Sequence, residues 1–226
     1  EAAANAIPDR PTAGYDVRSV IRSIVDDNEF LELRELYAPN LVTGFATVDG
    51  RPVGIVANQP QQLAGTLDIT CSHKGARFVS FCDAFNLPLV TLVDTSGFYP
   101  GKDMEWRGMI RHGAQLAFAY ARATVPRVGL TLRKSYGGAY IVMNSKHIGA
   151  DMNYAWLTAE IAVMGPKGAA EIIFKNEIAK AKTDFTYDTF DNLISASYNE
   201  NGQTETVYRM PDKIGNLFKT KERSRK

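Results

Sequence analysis

Three short segments in this chain combine small residues with a position just after an apolar run: Asp94-Thr95-Ser96-Gly97-Phe98-Tyr99-Pro100-Gly101, Ser135-Tyr136-Gly137-Gly138-Ala139 and Gly165-Pro166-Lys167-Gly168. Each precedes a stretch with helical periodicity. The first turn of a helix presents main-chain N–H groups without internal acceptors and carries partial positive charge. Glycine there lets a ligand come close to the backbone. Gly137-Gly138-Ala139 is the sharpest of the three, because two adjacent amides can hold an oxyanion such as that of a thioester enolate or a ureido group. The same pattern also serves tight packing, and spacing leaves both readings open.

Other chemistries find no residues. The sequence has no GxxxxGK(S/T) phosphate loop and no GxSxG nucleophile elbow. Ser96 could be a nucleophile, but no histidine is placed beside it. His73, His112 and His147 all fall on predicted helices, read as surface or packing residues, and form no metal-binding spacing. Asp94, at a predicted strand end, reads as a loop-orienting residue in preference to an acid or base. Cys71 and Cys82 lie on one predicted helix, roughly 16 Å apart along its axis, too far for a disulfide. They read as small buried thiols in a reducing compartment, cytoplasmic or, in a eukaryote, the mitochondrial matrix.

The 226 residues are 45% hydrophobic and 23% charged, with a net charge of +1. That balance fits a globular domain and argues against bulk nucleic-acid binding. No apolar run is long enough for a membrane span. Six basic residues and one acid lie between Lys213 and Lys226, read as a solvated tail. The start, Glu1-Ala2-Ala3-Ala4-Asn5, lacks a signal-peptide layout and an initiator Met, as a processed end or the edge of a longer piece would.

The elements that must position these segments follow from periodicity. Residues 1–15 are rich in helix breakers and read as a linker. Asp16 caps a predicted helix to about Asn28, with Val17, Val20, Ile21, Ile24 and Val25 on one face. Strands are expected at Leu41–Val48 and Val53–Asn58 around an Asp49-Gly50 hairpin. Then come a helix over Thr70–Phe85 with Phe78, Val79, Cys82 and Phe85 inward, and a strand Leu89–Val93. A long helix Met104–Ala123 follows, with an apolar face of Ile110, Ala114, Ala117, Phe118 and Ala121. A strand Val128–Leu132, a helix to about Ile148, a strand Ile161–Met164 and a helix to about Lys180 complete the series. The alternation implies an α/β domain with parallel strands and right-handed crossovers. Residues 16–182 form the predicted domain. Residues 183–226 form an atypical polar tail, loop-rich between Thr183 and Glu205.

A series of sequence words goes further. Tyr37-Ala38-Pro39-Asn40, Val42-Thr43-Gly44-Phe45, Arg51 to Pro60, and Gly65-Thr66-Leu67-Asp68-Ile69 begin it. Phe81 to Asp94, Gly97-Phe98 and Pro100-Gly101 continue it. Arg133-Lys134, Tyr136-Gly137-Gly138-Ala139-Tyr140, Ser145-Lys146-His147, Gly149-Ala150-Asp151, Ala162-Val163-Met164-Gly165 and Gly168-Ala169-Ala170 complete it. Together, over roughly residues 6–180, they resemble the second domain of the carboxyltransferase (beta) subunits of biotin-dependent acyl-CoA carboxylases. The resemblance implies a crotonase fold (ClpP/enoyl-CoA hydratase-like) of stacked ββα units. It implies an active site formed where this domain faces the first domain of another subunit. The Gly138 and Ala139 amides would bind the biotin ureido oxygen, with Gly97, Phe98, Tyr136, Gly137, Tyr140 and Ile141 around the biotin and acyl pocket. Biotin would arrive on a biotin carboxylase or carboxyl carrier partner, acyl-CoA would be the substrate, and no metal would be held here. A homo-oligomer, a dimer-based hexamer, is implied, with neither nucleic acid nor membrane as partner.

On the same resemblance, the chain's reaction runs as a carboxylase, or in reverse as a biotin-dependent decarboxylase or transcarboxylase. A non-catalytic half-length assembly subunit is the alternative of another class. A stand-alone crotonase is the weakest, for want of the acidic residues hydratases add. The chain departs from the family in three places. Ser96 replaces the usual Pro before Gly97-Phe98. Ile141 stands where members acting on short acyl chains often carry Asp, which suggests a different acyl pocket, for acetyl or longer chains. The family's usual ending is missing after about Ile178.

Overall fold

The computed structural model describes residues 6–8, 10, 13–157, 159–175, 184–187, 193–200, 203–211 and 217–223. The remainder of the expected linker, the far end of the expected helix to Lys180 and parts of the basic tail lie outside them. The chain divides into two compact units, Glu1–Gly165 and Pro166–Lys226.

The first unit is a sheet whose central strands are covered on both faces. Strands β1 (Leu31–Glu32), β2 (Leu41–Val48), β3 (Arg51–Asn58), β4 (Leu89–Thr95), β5 (Arg127–Tyr136) and β6 (Met152–Ala155) follow one another in order, and β7 (Glu160–Ala162) also pairs with β5. β1, β2 and β3 are antiparallel; β3, β4 and β5 run parallel, as do β6 and β7 on β5. The β2–β3 turn has φ of 51° at Asp49 and 71° at Gly50, the left-handed pair that a tight hairpin demands. Helices are α1 (Val17–Ile24), α2 (Ile69–Ala84), α3 (Lys102–Trp106), α4 (Met109–Arg122) and α5 (Gly137–Val142). Side chains on β3 and β4 alternate between two cores, as the strand repeat requires. Val56, Leu89 and Val93 meet Phe78, Leu116 and Ala139 from α2, α4 and α5. Ile55, Ala57 and Leu92 meet Val17, Val20 and Ile21 of α1.

Asp16 caps α1 as expected, accepting from the Arg18 N–H at 3.0 Å. The helix ends at Ile24, and Asp26–Asn28 form a separate single turn. Cys71 and Cys82 are free and buried on α2. Burial pushes the Cys82 thiol up to about 12 and raises that of Cys71 as well, so neither is nucleophilic near neutral pH.

Other expectations are corrected. The long helix over Met104–Ala123 is two helices, broken at Gly108, whose φ of 85° no continuous helix accepts. Its buried face is Met109, Gly113, Leu116, Ala119 and Tyr120, while Ile110 and Phe118 are 84% and 66% exposed. Both stripes have helical spacing, so periodicity alone favoured neither. Phe85, expected inward, lies just past the end of α2, is exposed and packs against Phe81 with ring centroids 4.5 Å apart. Strand β6 escaped the sequence because Met152–Ala155 is exposed along its whole length and lacks an apolar run.

In the second unit, α6 spans Pro166–Ile173, followed by strands β8 (Asp184–Tyr187), β9 (Leu193–Glu200), β10 (Gln203–Pro211) and β11 (Leu217–Arg223). These four strands form an antiparallel sheet in the order β11-β10-β9-β8. The expectation of a loop-rich stretch from Thr183 is therefore corrected to strand. The described part of the basic tail is strand too. Alternation of Thr, Tyr and charged residues along Gln203–Pro211 fits an antiparallel strand better than a loop.

At the carboxyl ends of β4 and β5 sits a buried ion pair. Arg133 Nε donates to Asp94 Oδ2 at 3.1 Å, with side chains only 9% and 3% exposed. Tyr15 donates its hydroxyl to the same oxygen at 2.9 Å, and the Lys134 N–H donates to Oδ1 at 3.1 Å. Arg133 Nη1 also donates to the carbonyls of Arg10 and Ala13 at 3.0 and 2.9 Å. Removing one member of such a pair strands a buried charge. Asp94→Ala is expected to lower unfolding stability by about 3–5 kcal/mol in urea titration, and the double variant Asp94→Ala, Arg133→Met by less than that single change.

Candidate active site

The site grows from the way β5 ends. Its last residue, Tyr136, is followed without a loop by α5, and Gly137 makes the junction at φ 60°. The expected Ser135–Ala139 loop is thus strand and helix joined at one left-handed glycine. No side chain caps α5. The N–H groups of Gly138 and Ala139 lie in its first turn, where a helix supplies no acceptor of its own. Gly138 is exposed and Ala139 is buried.

The Gly97 segment is held opposite. Leu67 N–H donates to the Gly97 carbonyl at 3.0 Å and Tyr99 N–H to the Leu67 carbonyl at 2.8 Å. This places the Phe98 ring between two glycines. A Cβ on Gly113 of α4 would lie 2.8 Å from the ring, and one on Gly138 would lie 3.4 Å from it. Phe98, Met109, Ile110, Gly138, Ile141 and Val142 line one groove of about 520 Å³. Phe98, Gly138 and Ile141, three of the expected site residues, therefore meet in one groove; Gly97 and Ala139 adjoin it in the chain.

Tyr136 and Tyr140 have other contacts. Tyr136 is buried, and its hydroxyl donates to the Glu160 carboxylate of β7. Burial first and that carboxylate second raise its pKa well above the usual phenol value. Tyr140 packs edge-on against His147, with centroids 5.9 Å apart. His73 and His112 pair with each other, Nε2 to Nδ1 at 2.7 Å. Asp94 has both carboxylate oxygens occupied, consistent with orienting the two strand ends. Exposed Ser96 has no histidine in hydrogen-bond contact. Among the described residues, no group of three His, Cys, Asp or Glu side chains could hold a metal, and no helix is long and apolar enough to cross a membrane.

Sequence reasoning missed the α4 side of the groove, Met109, Ile110 and Gly113. The signal was present: Gly108 and Gly113 flank an apolar pair in a stretch otherwise helical.

The groove combines a mostly apolar wall with the Gly138 backbone, and Glu105 is the acid among its lining side chains. The family profile described as "Carboxyl transferase domain" matches residues 1–213, and the chain belongs to that family. It is 59% identical over 175 residues to the propionyl-CoA carboxylase beta chain of Saccharopolyspora erythraea, covering 77% of this chain and 32% of that protein. It is 53% identical over 178 residues to the methylmalonyl-CoA decarboxylase subunit alpha of Veillonella parvula, covering 78% of this chain and 35% of that one. Among solved structures it resembles the hexameric transcarboxylase 12S core with methylmalonyl-coenzyme A bound, at a TM-score of 0.76 and 55% identity, over 79% of this chain and 34% of the other. The fold is of the crotonase type. The chain spans about a third of the length of the curated relatives it matches.

The clamp on Phe98 is testable. Gly113→Ala puts a methyl group into the ring's place. It is expected to cost about 1–3 kcal/mol in thermal or urea unfolding and to shift the Phe98 ring resonances in NMR spectra. Unchanged ring resonances would mean that Phe98 is not held between the glycines.

Proposed function

We propose that this chain is the carboxyl-terminal half of a carboxyltransferase that moves a carboxylate from carboxybiotin to the α carbon of an acyl-CoA. The observation that carries the reading is the uncapped start of α5, with the Gly138 and Ala139 amides beside a groove walled by Phe98 and Ile141. The residues present fit biotin: two donors for the ureido oxygen and an apolar wall for its ring system. When bound, carboxybiotin would supply the activated carboxylate. The chain's own part is to bind and to polarise. Amides fixed by β5 and α5 need no reorganisation as negative charge grows on the oxygen they hold, and in a groove closed to water that interaction strengthens. Gly97 and Tyr136 set the positions of Phe98 and Gly137, and Tyr140 braces α5 against His147. Ile141 bears on the acyl or biotin side of the pocket.

The same amides serve the opposite direction, and the 53% identity to a methylmalonyl-CoA decarboxylase subunit supports that second reading. The partners are a first crotonase-type domain, a biotin carrier, on the first reading the biotin carboxylase that charges it, and further copies in a dimer-based hexamer. The compartment is the cytoplasm or the mitochondrial matrix.

The chain alone is expected to have negligible carboxyl transfer, and to gain it when co-expressed with the first half. Robust turnover by the isolated chain would contradict this assignment. In the reconstituted enzyme, Gly138→Pro removes one N–H at a helix position that tolerates proline. The expected loss is on the order of 100-fold in transfer rate relative to Gly138→Ala, which also sets a Cβ against Phe98 but keeps the N–H. Full activity in the folded variant would remove the oxyanion role. Ile141→Asp is expected to change the preference among acetyl-, propionyl- and long-chain acyl-CoA, read as kcat/KM ratios. Unchanged ratios would separate Ile141 from acyl selection.

A further inference from the structure

A second cleft lies where the segment between β1 and β2 crosses α2. Two cavities, of about 140 and 380 Å³, share Arg34, Lys74 and Arg77 and have no lining residue in common with the Phe98 groove. One end is walled by Leu33, Phe78 and Phe81, and the other reaches His73. Phe81 remains 44% exposed, so an aromatic surface is left open there.

The cationic end has little compensation. Lys74 is 2% exposed, yet its ammonium meets only neutral carbonyls, those of Arg34, Tyr37 and Ala38, at 3.0, 2.8 and 3.3 Å. Burial lowers its pKa to about 8, which leaves it largely charged at neutral pH. The nearest acids are already engaged: Arg18 bonds Glu32 at 2.6 and 2.9 Å and lies 3.8 Å from Glu35. Among the described residues, the guanidinium groups of Arg34 and Arg77 have no ion-pair partner. His73 adds a donor. Arg111 Nη2, which can only donate, lies 3.2 Å from His112 Nε2, so in the neutral pair His112 Nδ1 carries the proton shared with His73 Nε2. That leaves the proton of His73 on Nδ1.

We propose that this cleft binds a phosphate monoester carried on an apolar group, with the phosphate at Arg34, Arg77 and His73 and the apolar group against Phe78 and Phe81. A phosphate dianion brings three oxygens and a charge of about −2 to two planar guanidinium forks, where a carboxylate brings two oxygens and a single charge. An anion there also adds to the compensation of the buried Lys74 charge, which within the chain comes from Glu32, a carboxylate already bonded to Arg18. The proposal is independent of the carboxyltransferase reading.

The test is calorimetric titration of the chain at neutral pH with phenyl phosphate, inorganic phosphate and benzoate. Phenyl phosphate is expected to bind at one site per chain, about ten-fold or more tighter than either of the others. Arg77→Gln and Arg34→Gln, both at exposed positions, should each weaken it about ten-fold. Phe81→Ser should weaken phenyl phosphate while leaving inorganic phosphate unchanged, and Arg107→Gln, remote from the cleft, should change nothing. Equal affinity for phenyl and inorganic phosphate, benzoate binding as tightly, unaltered binding by both arginine variants, or no saturable heat would each overturn the proposal.

Discussion

The architecture of the groove rests on one buried contact between charges. Asp94 and Arg133 close the carboxyl ends of two neighbouring parallel strands, and the two glycine segments of the site start within four residues of them. A buried ion pair contributes little net stability compared with an apolar pair of the same size. Its consequence is geometric. Asp94 accepts from Tyr15, Arg133 and the Lys134 main chain, while its own N–H donates to Asn58 at 3.3 Å. Ends of β3, β4 and β5 and the chain before α1 are thereby held in one arrangement. The Arg133 guanidinium lies 5.1 Å from the Tyr15 ring centroid, which adds a cation–π contact to the same cluster. Any tilt of β5 would break several hydrogen bonds at once.

From that fixed point, the site is made almost wholly of backbone and apolar surface. β5 delivers Gly137 at a left-handed φ, and α5 starts there with no side-chain cap on its first N–H groups. The Gly97 segment, bonded to Leu67, presents Phe98, and Gly113 and Gly138 leave just the width of its ring. Each of these glycines answers a separate geometric demand. Main-chain donors suit a reaction in which charge moves onto oxygen, because they are fixed before the substrate arrives and do not titrate.

The exposed faces fit a chain that spans only part of its relatives' length. Ile110, Phe118 and Trp106 present large apolar surfaces at 84%, 66% and 78% exposure beside the groove's helical wall. Large apolar side chains left exposed suit contact with another protein surface. A groove bordered by such surface is suited to completion by a second domain, in keeping with the proposed need for the first crotonase-type half. The phosphate cleft at Arg34 and Arg77 stands apart, with a different composition: cationic and aromatic rather than aliphatic.

Much of this was legible in residue order. The Asp49-Gly50 hairpin, the Asp16 cap, the all-apolar Leu89–Val93 strand and the glycines at strand ends each carry local chemistry that determines local shape, and the structure follows them. Local order could not decide which of two apolar stripes on the Met109–Arg122 helix is buried. That depends on where the sheet lies, and the sheet takes Leu116 and Tyr120 while leaving Ile110 and Phe118 outside. Nor could it pair Asp94 with Arg133 or seat Phe98 between Gly113 and Gly138. These contacts join residues distant in sequence, and they exist only because parallel strands and their crossover helices bring distant segments to one edge. The residues thus determined the elements and the donors, and tertiary packing decided which surfaces the donors face.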